Sequence, residues 1–223
     1  MSIEVSTSVL DLSEKDCVHS FYNLETAKTD YFHIDVMDGE FVENDTSKRM
    51  LEYATTISHI SQLGLDVHLM VNEPEKFIDD YVGLEPRILS FQVEPVLQDK
   101  QRIYDMIDDL KRNGIRVGLA INPGTPIEAI KEFLPYIHMV LVMSVWAGKG
   151  GQSFIPEIAS KLKELKQYLD ESDLDLDIEV DGGINNETAK IAVENGANIL
   201  VSGSYILGAD DPKSAISRLK DCL

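Results

Sequence analysis

Eight short apolar runs rich in branched residues recur along the chain, starting at residues 4, 31, 65, 88, 116, 139, 176 and 199, at intervals of 23 to 37 residues. They are 4–10 (EVSTSVL), 31–37 (YFHIDVM), 65–71 (LDVHLMV), 88–94 (ILSFQVE), 116–122 (RVGLAIN), 139–145 (MVLVMSV), 176–181 (LDIEVD) and 199–204 (ILVSGS). Longer amphipathic stretches separate them, the alternation expected of repeated βα units around a parallel sheet. Helix start and stop signals fall in the gaps: Ser13 with Asp16 three residues on, Pro74 and Pro126 at first-turn positions, and Asn113-Gly114 and Asn195-Gly196 at ends. Each strand is therefore expected to lead into a helix, and eight such modules predict a closed (β/α)8 TIM barrel, with a doubly wound open sheet as the main competitor. At 223 residues the chain is the size of one such domain, spanning 1–223, and a second would be cramped.

Composition works by exclusion. A formal charge of −19, from 39 acidic and 20 basic residues, opposes binding to a polyanion, so nucleic acid is not expected as a partner. No run of about 18 apolar residues occurs, and the opening MSIEVSTSVL lacks a basic stretch followed by an apolar one. A cytoplasmic protein without membrane contact is the expectation. Cys17 and Cys222 are too few and too far apart for a disulfide framework or a thiolate metal site and are expected as free thiols. The acidic run ESDLDLD at 171–177 is expected to be a solvated helix-to-strand turn.

Charge inside the second run, HIDVMDG at 33–39, needs a reason. On an alternating strand His33, Asp35 and Met37 share one side, and Ile34, Val36 and Asp38 the other. A carboxylate turned into a barrel costs several kcal/mol unless a cation or a hydrogen-bond network compensates it. The third run repeats the arrangement with His68 and Met70, and the seventh ends in Asp181. Two His and two Asp form a plausible set for a divalent transition ion such as Zn, Mn, Fe or Co, with positions left open for a substrate's oxygens. Taken one at a time, a buried histidine is more often a hydrogen-bonded core residue, and Met37, Met70 and Met143 are more often core fillers. Recurrence on three strands favours the metal reading. Glycines then cluster after the last three runs: Gly148, Lys149, Gly150, Gly151 and Gln152, then Asp181, Gly182 and Gly183, then Gly203 and Ser204. Such loops let backbone amides approach an anion, and barrels commonly hold a phosphate after strands seven and eight beside a short helix that GSYIL at 203–207 is placed to begin.

With those residues in view, the chain resembles the ribulose-phosphate 3-epimerase family, nearly end to end. The resemblance rests on Ser8-Val9-Leu10, His33-Ile34-Asp35-Val36-Met37-Asp38-Gly39 with Phe41-Val42 and Asn44, His68-Leu69-Met70, Asn122-Pro123-Gly124-Thr125, Val142-Met143-Ser144-Val145, Gly148 with Gly150-Gly151-Gln152, Val180-Asp181-Gly182-Gly183-Ile184, and Gly203-Ser204. It implies a barrel of the ribulose-phosphate-binding type that interconverts D-ribulose 5-phosphate and D-xylulose 5-phosphate by inverting carbon 3 through a cis-enediolate. Asp35 and Asp181 would be the catalytic acid/base pair, and His33, Asp35, His68 and Asp181 the ligands of one divalent transition metal ion. Ser8 and His68 would bind substrate, with Met37, Met70 and Met143 as a thioether wall, while Gly148, Gly150, Gly151, Gly182, Gly183, Gly203 and Ser204 would hold the phosphate; Lys149, a departure from the family, is expected to add a cation within reach of it. A homo-oligomer, dimer or hexamer, is implied as well.

Three departures lie at strand ends. Trp146-Ala147-Gly148-Lys149-Gly150-Gly151 stands where the family usually has Glu-Pro-Gly-Phe-Gly-Gly, Phe41-Val42-Glu43-Asn44 replaces Phe-Val-Pro-Asn, and Gln92-Val93-Glu94 replaces His-x-Glu. They keep open an epimerase of another ketose phosphate, such as a hexulose 6-phosphate, and a catalytically silent relative that only binds a sugar phosphate. Barrel decarboxylases fit less well, because the lysine they place near the second-strand aspartate is absent and Met37 stands there.

Overall fold

Every strand carries branched apolar residues, and the computed structural model, which describes residues 2–222, closes those strands into a parallel barrel in chain order. They are β1 (Glu4–Ser8), β2 (Tyr31–Met37), β3 (Gly64–Met70), β4 (Ile88–Gln92), β5 (Arg116–Ile121), β6 (Met139–Met143), β7 (Asp177–Asp181) and β8 (Ile199–Ser202), with β8 paired back to β1. This is a TIM barrel, and the open-sheet alternative is excluded by that closing pair. β1, β4, β6 and β8 end two residues before the apolar runs do, where the chain leaves the sheet to build loops at the C-terminal rim.

The helices are α1 (Cys17–Thr26), α2 (Ser47–Ile60), α3 (Glu75–Val82), α4 (Lys100–Arg112), α5 (Ile158–Glu171), α6 (Asn186–Glu194), the short α7 (Ser204–Leu207) and α8 (Pro212–Lys220). Two expectations fail. Ser13 does not cap α1: the helix starts at Cys17, and Ser13 O only accepts from Asp16 N in a preceding turn. β5 is not followed by an α-helix but by two single 3-10 turns, Ile127–Ala129 and Leu134–Tyr136. Pro135, in the middle of that stretch, removes a donor that a continuous helix there would need. Lys161 of α5 compensates, donating from Nζ to the carbonyl oxygens of Asn122, Pro123 and Thr125 at 3.0, 2.7 and 2.7 Å. The 171–177 run does join α5 to β7, and neither cysteine is in a disulfide.

Outward-facing strand residues such as Ile34, Val67, Leu89, Val117 and Val180 pack against the helices in the main core. Each such side chain contributes about 1.5–3 kcal/mol by leaving water. A smaller apolar set, including Ile88, Ala120, Met139, Leu141 and Ile199, fills the barrel interior. Register decides what stands above it. His33 pairs with Asp66, Asp35 with His68, Met37 with Met70 and Met143 with Asp181, so polar groups from three strands share one half of the interior. Among the described residues no helix is long and apolar enough to cross a membrane.

Candidate active site

β2, β3 and β7 deliver His33, Asp35, His68 and Asp181 to one point, with one donor atom from each within 4.8 Å of all the others. His33 Nε2 lies 3.3 Å from Asp35 Oδ1 and 3.9 Å from Asp181 Oδ2, and His68 Nδ1 lies 3.5 and 3.7 Å from the same two oxygens. Ser8 Oγ of β1 donates to the other Asp35 oxygen at 2.7 Å.

Three of the inward atoms, His33 Nε2, Asp35 Oδ1 and His68 Nδ1, are buried and have no hydrogen-bond partner. Orphaned acceptors and imidazole nitrogens facing one another are costly unless something between them accepts their lone pairs. A two-His, two-Asp set matches what a borderline divalent cation requires. These four residues can therefore hold one metal ion.

Burial opposes charge on both carboxyl groups, but their neighbours separate them. The adjacent His33 and His68 rings, 3.3 and 3.5 Å from Asp35 Oδ1, overcome burial and hold Asp35 well below the usual carboxylate range. Asp181 is pushed up to about 6 by burial and by the Asp35 charge. Carboxyl groups with divided proton affinities are suited to opposite halves of an acid–base exchange, and a bound cation lowers both.

The cavity above this floor is lined by Ser8, Met37, Met70 and Met143, by Gly148, Lys149, Gly150 and Gly151, and by Gly182, Gly183, Gly203 and Ser204. The structure thus brings these sequence-predicted residues around one space. His33 and His68 lie behind it, fully buried. Ser8 differs in detail from a simple substrate donor, because its hydroxyl proton is committed to Asp35. Glycine is required at Gly183, where φ is +64° and a Cβ would meet Phe154 N at 2.3 Å. The loop after β6 roofs the cavity. Asn44 Nδ2 donates to Gly148 O at 2.6 Å, Ala147 N to Asn122 Oδ1 at 3.1 Å, and Gln152 Nε2 to Trp146 O at 2.7 Å. Trp146 is 58% exposed, and its ring edge lies over Gly124, where a methyl group would approach it to 3.0 Å.

Comparison with known proteins agrees with this geometry. The pattern describing the Ribulose-phosphate 3 epimerase family matches residues 4–207. A ribulose-phosphate 3-epimerase of Bacillus subtilis (strain 168) is 38% identical over 219 residues, covering 98% of each chain. A chloroplastic ribulose-5-phosphate-3-epimerase of Arabidopsis thaliana is 37% identical over 218 residues, covering 98% of this chain and 76% of the relative. The chain belongs to the ribulose-phosphate 3-epimerase family. A solved 3-hexulose-6-phosphate synthase superposes over 100% of both chains with a TM-score of 0.71 at 13% identity, a likeness of fold alone.

For a member of the epimerase family, several buried residues beneath the cavity escaped sequence reasoning. Asp66 Oδ2 lies 2.6 Å from His33 Nδ1 and accepts from Ser6 Oγ at 2.6 Å. Glu179, also fully buried, has no donor at either oxygen; burial and the adjacent Asp66 charge hold it well above the usual carboxylate range. Both were signalled by spacing, since Asp66 precedes His68 by two residues and Glu179 precedes Asp181 by two. Gln92, one of the family departures, meets His68: its amide is 3.4 Å from Nε2.

Proposed function

We propose that this chain is a metal-dependent isomerase that interconverts D-ribulose 5-phosphate and D-xylulose 5-phosphate by inverting carbon 3. The observation that carries the reading is the convergence of Asp35 and Asp181, from strands three places apart around the closed barrel, on one histidine-lined floor. The similarity to proteins named ribulose-phosphate 3-epimerase supports the choice of substrate.

The proton on carbon 3 lies next to the carbon 2 ketone, so its removal leaves a planar enediolate that forgets its configuration. Asp35, ionised, takes the proton from one face, and Asp181 returns one to the other. In the reverse direction the roles exchange. When bound by His33, Asp35, His68 and Asp181, a divalent transition ion (Zn, Mn, Fe or Co) supplies electrostatic stabilisation of the enediolate oxygens. Ser8 steadies Asp35 by donating to the oxygen turned away from the histidines. Met37, Met70 and Met143 present thioether surface with no proton to exchange, which keeps water from the planar intermediate. Backbone amides of the 148–151, 182–183 and 203–204 loops, with Lys149 nearby, hold the phosphate and so orient the distant carbon 3.

A second reading, an epimerase of a hexulose 6-phosphate, is favoured by one observation, the replacement of the roof loop by Trp146 and Lys149. The deciding measurement is turnover of pentulose and hexulose phosphates in deuterated water, with each of the four metals added in turn. Ribulose 5-phosphate should give the highest kcat/KM and acquire one deuterium at carbon 3. Preference for a hexulose phosphate would move the assignment to that substrate. Failure of every sugar phosphate with every metal would leave only a binding protein.

A further inference from the structure

We infer that Asp66 and Gln92 are positioning residues that fix, from behind, which ring nitrogen each histidine turns toward the active site; the inference rests on the metal reading above. A neutral imidazole has one protonated nitrogen and one with a free lone pair, and only the latter can coordinate a cation. The two histidines here must offer opposite nitrogens, Nε2 from His33 and Nδ1 from His68, because those are the atoms that face Asp35 and Asp181. The active-site side offers only the acceptor oxygens of Asp35 and Asp181, which by themselves favour a proton on those same two nitrogens and so oppose metal binding. The choice must come from behind.

For His33 it comes from Asp66. One Asp66 oxygen faces both His33 Nδ1 and Ser6 Oγ at 2.6 Å, and a carboxylate oxygen facing two such groups can only accept. The proton of His33 is thereby drawn to Nδ1 and the lone pair left on Nε2. For His68 it comes from Gln92. The amide nitrogen of Gln92 has two acceptors in reach, Ala120 O at 3.0 Å and Glu94 Oε2 at 2.7 Å. Its oxygen is therefore the atom turned to His68 Nε2, which must donate, leaving the lone pair on Nδ1. Glu94 is itself fixed, its other oxygen accepting from Asn122 N at 2.7 Å and Thr125 Oγ1 at 2.5 Å. Asp66 and Gln92 are both completely buried. Water cannot replace either acceptor without displacing packed neighbours.

The test uses the zinc-loaded protein labelled with 15N-histidine, together with Asp66→Leu and Gln92→Met, each near the original volume but without the acceptor. In the unmutated protein, NMR should find the ring proton on Nδ1 of His33 and on Nε2 of His68. The reverse assignment at either ring overturns the inference without any variant, which covers the case of a variant that does not fold. Each folded variant should bind zinc about 10- to 100-fold more weakly in competition with a chelating dye. Asp66→Asn, which keeps an uncharged acceptor, should recover part of the loss. Zinc affinities within twofold of the unmutated protein in both Asp66→Leu and Gln92→Met would refute the positioning role while leaving the metal site standing. An unmutated protein that binds no zinc would refute both.

Discussion

Asp181→Asn removes one of the two carboxyl groups proposed to carry protons while keeping the volume of the side chain that β7 presents to the cavity. A positioned acid or base is worth about 10²–10⁴ in rate, or about 2.7–5.5 kcal/mol of barrier. Inversion needs both carboxyl groups in either direction, so kcat/KM should fall by about 10³–10⁴ for both epimers. Asp35 remains, held in place by Ser8 at 2.7 Å. The epimer whose carbon 3 hydrogen faces Asp35 should therefore still exchange that hydrogen with solvent, without inverting. Asp35→Asn should show the opposite preference, exchanging only the epimer that faces Asp181. Proton NMR of each epimer in deuterated water reads both quantities, with zinc raised until the rate no longer responds, because each substitution also removes one of the four residues proposed to hold the metal. Exchange of the same epimer in both variants would refute the two-face arrangement, as would epimerisation within tenfold of the unmutated enzyme.

Lys149→Ala should raise KM for the phosphorylated substrate about tenfold, equivalent to about 1.4 kcal/mol, with kcat little changed; an unaltered KM in steady-state assays would take Lys149 out of phosphate binding. Lys161→Met should lower stability to urea by about 2–3 kcal/mol, because three carbonyl groups lose a charged donor that is itself only half-buried. A change below about 0.5 kcal/mol would show that water satisfies those carbonyls equally well. His138 predicts a pH effect. Burial, with the Arg116 and Lys111 charges, holds its pKa below the ordinary imidazole value, and its Nδ1 accepts from Val117 N at 3.0 Å. The unfolded chain then binds the proton more readily, so this contribution to stability is complete above the ordinary imidazole range and is lost as pH falls below about 6.5. Urea unfolding between pH 7.5 and 5.5 should show a shallower loss in His138→Gln than in the unmutated protein, and parallel slopes would contradict the assignment.

Period-two patterning made the barrel and its floor legible. His33 and Asp35, two residues apart on β2, had to share a face, and the same rule placed His68 with Met70 on β3. That rule held equally for Asp66 and Glu179, yet an acidic residue two places before a candidate ligand resembles any other charge until register is known. Only the pairing of His33 with Asp66 shows which neighbour the carboxylate meets. The missing helix after β5 was hidden for a different reason. Apolar spacing in 127–137 resembles a helix face, and Pro135 interrupts it. Gln92 read as a loss of the family's usual histidine, whereas its contact with His68 depends on the side chain of Glu94 two residues on.

The roof formed by the 146–152 loop leaves a cavity of about 60 Å³ over the carboxyl groups. It is a narrow space beside which the loop backbone lies close to the carboxyl groups. The loop above those carboxyl groups is tethered by two asparagines, Asn44 and Asn122. Were those two tethers to break and re-form with each substrate, their lifetime would limit throughput however fast the proton transfers became.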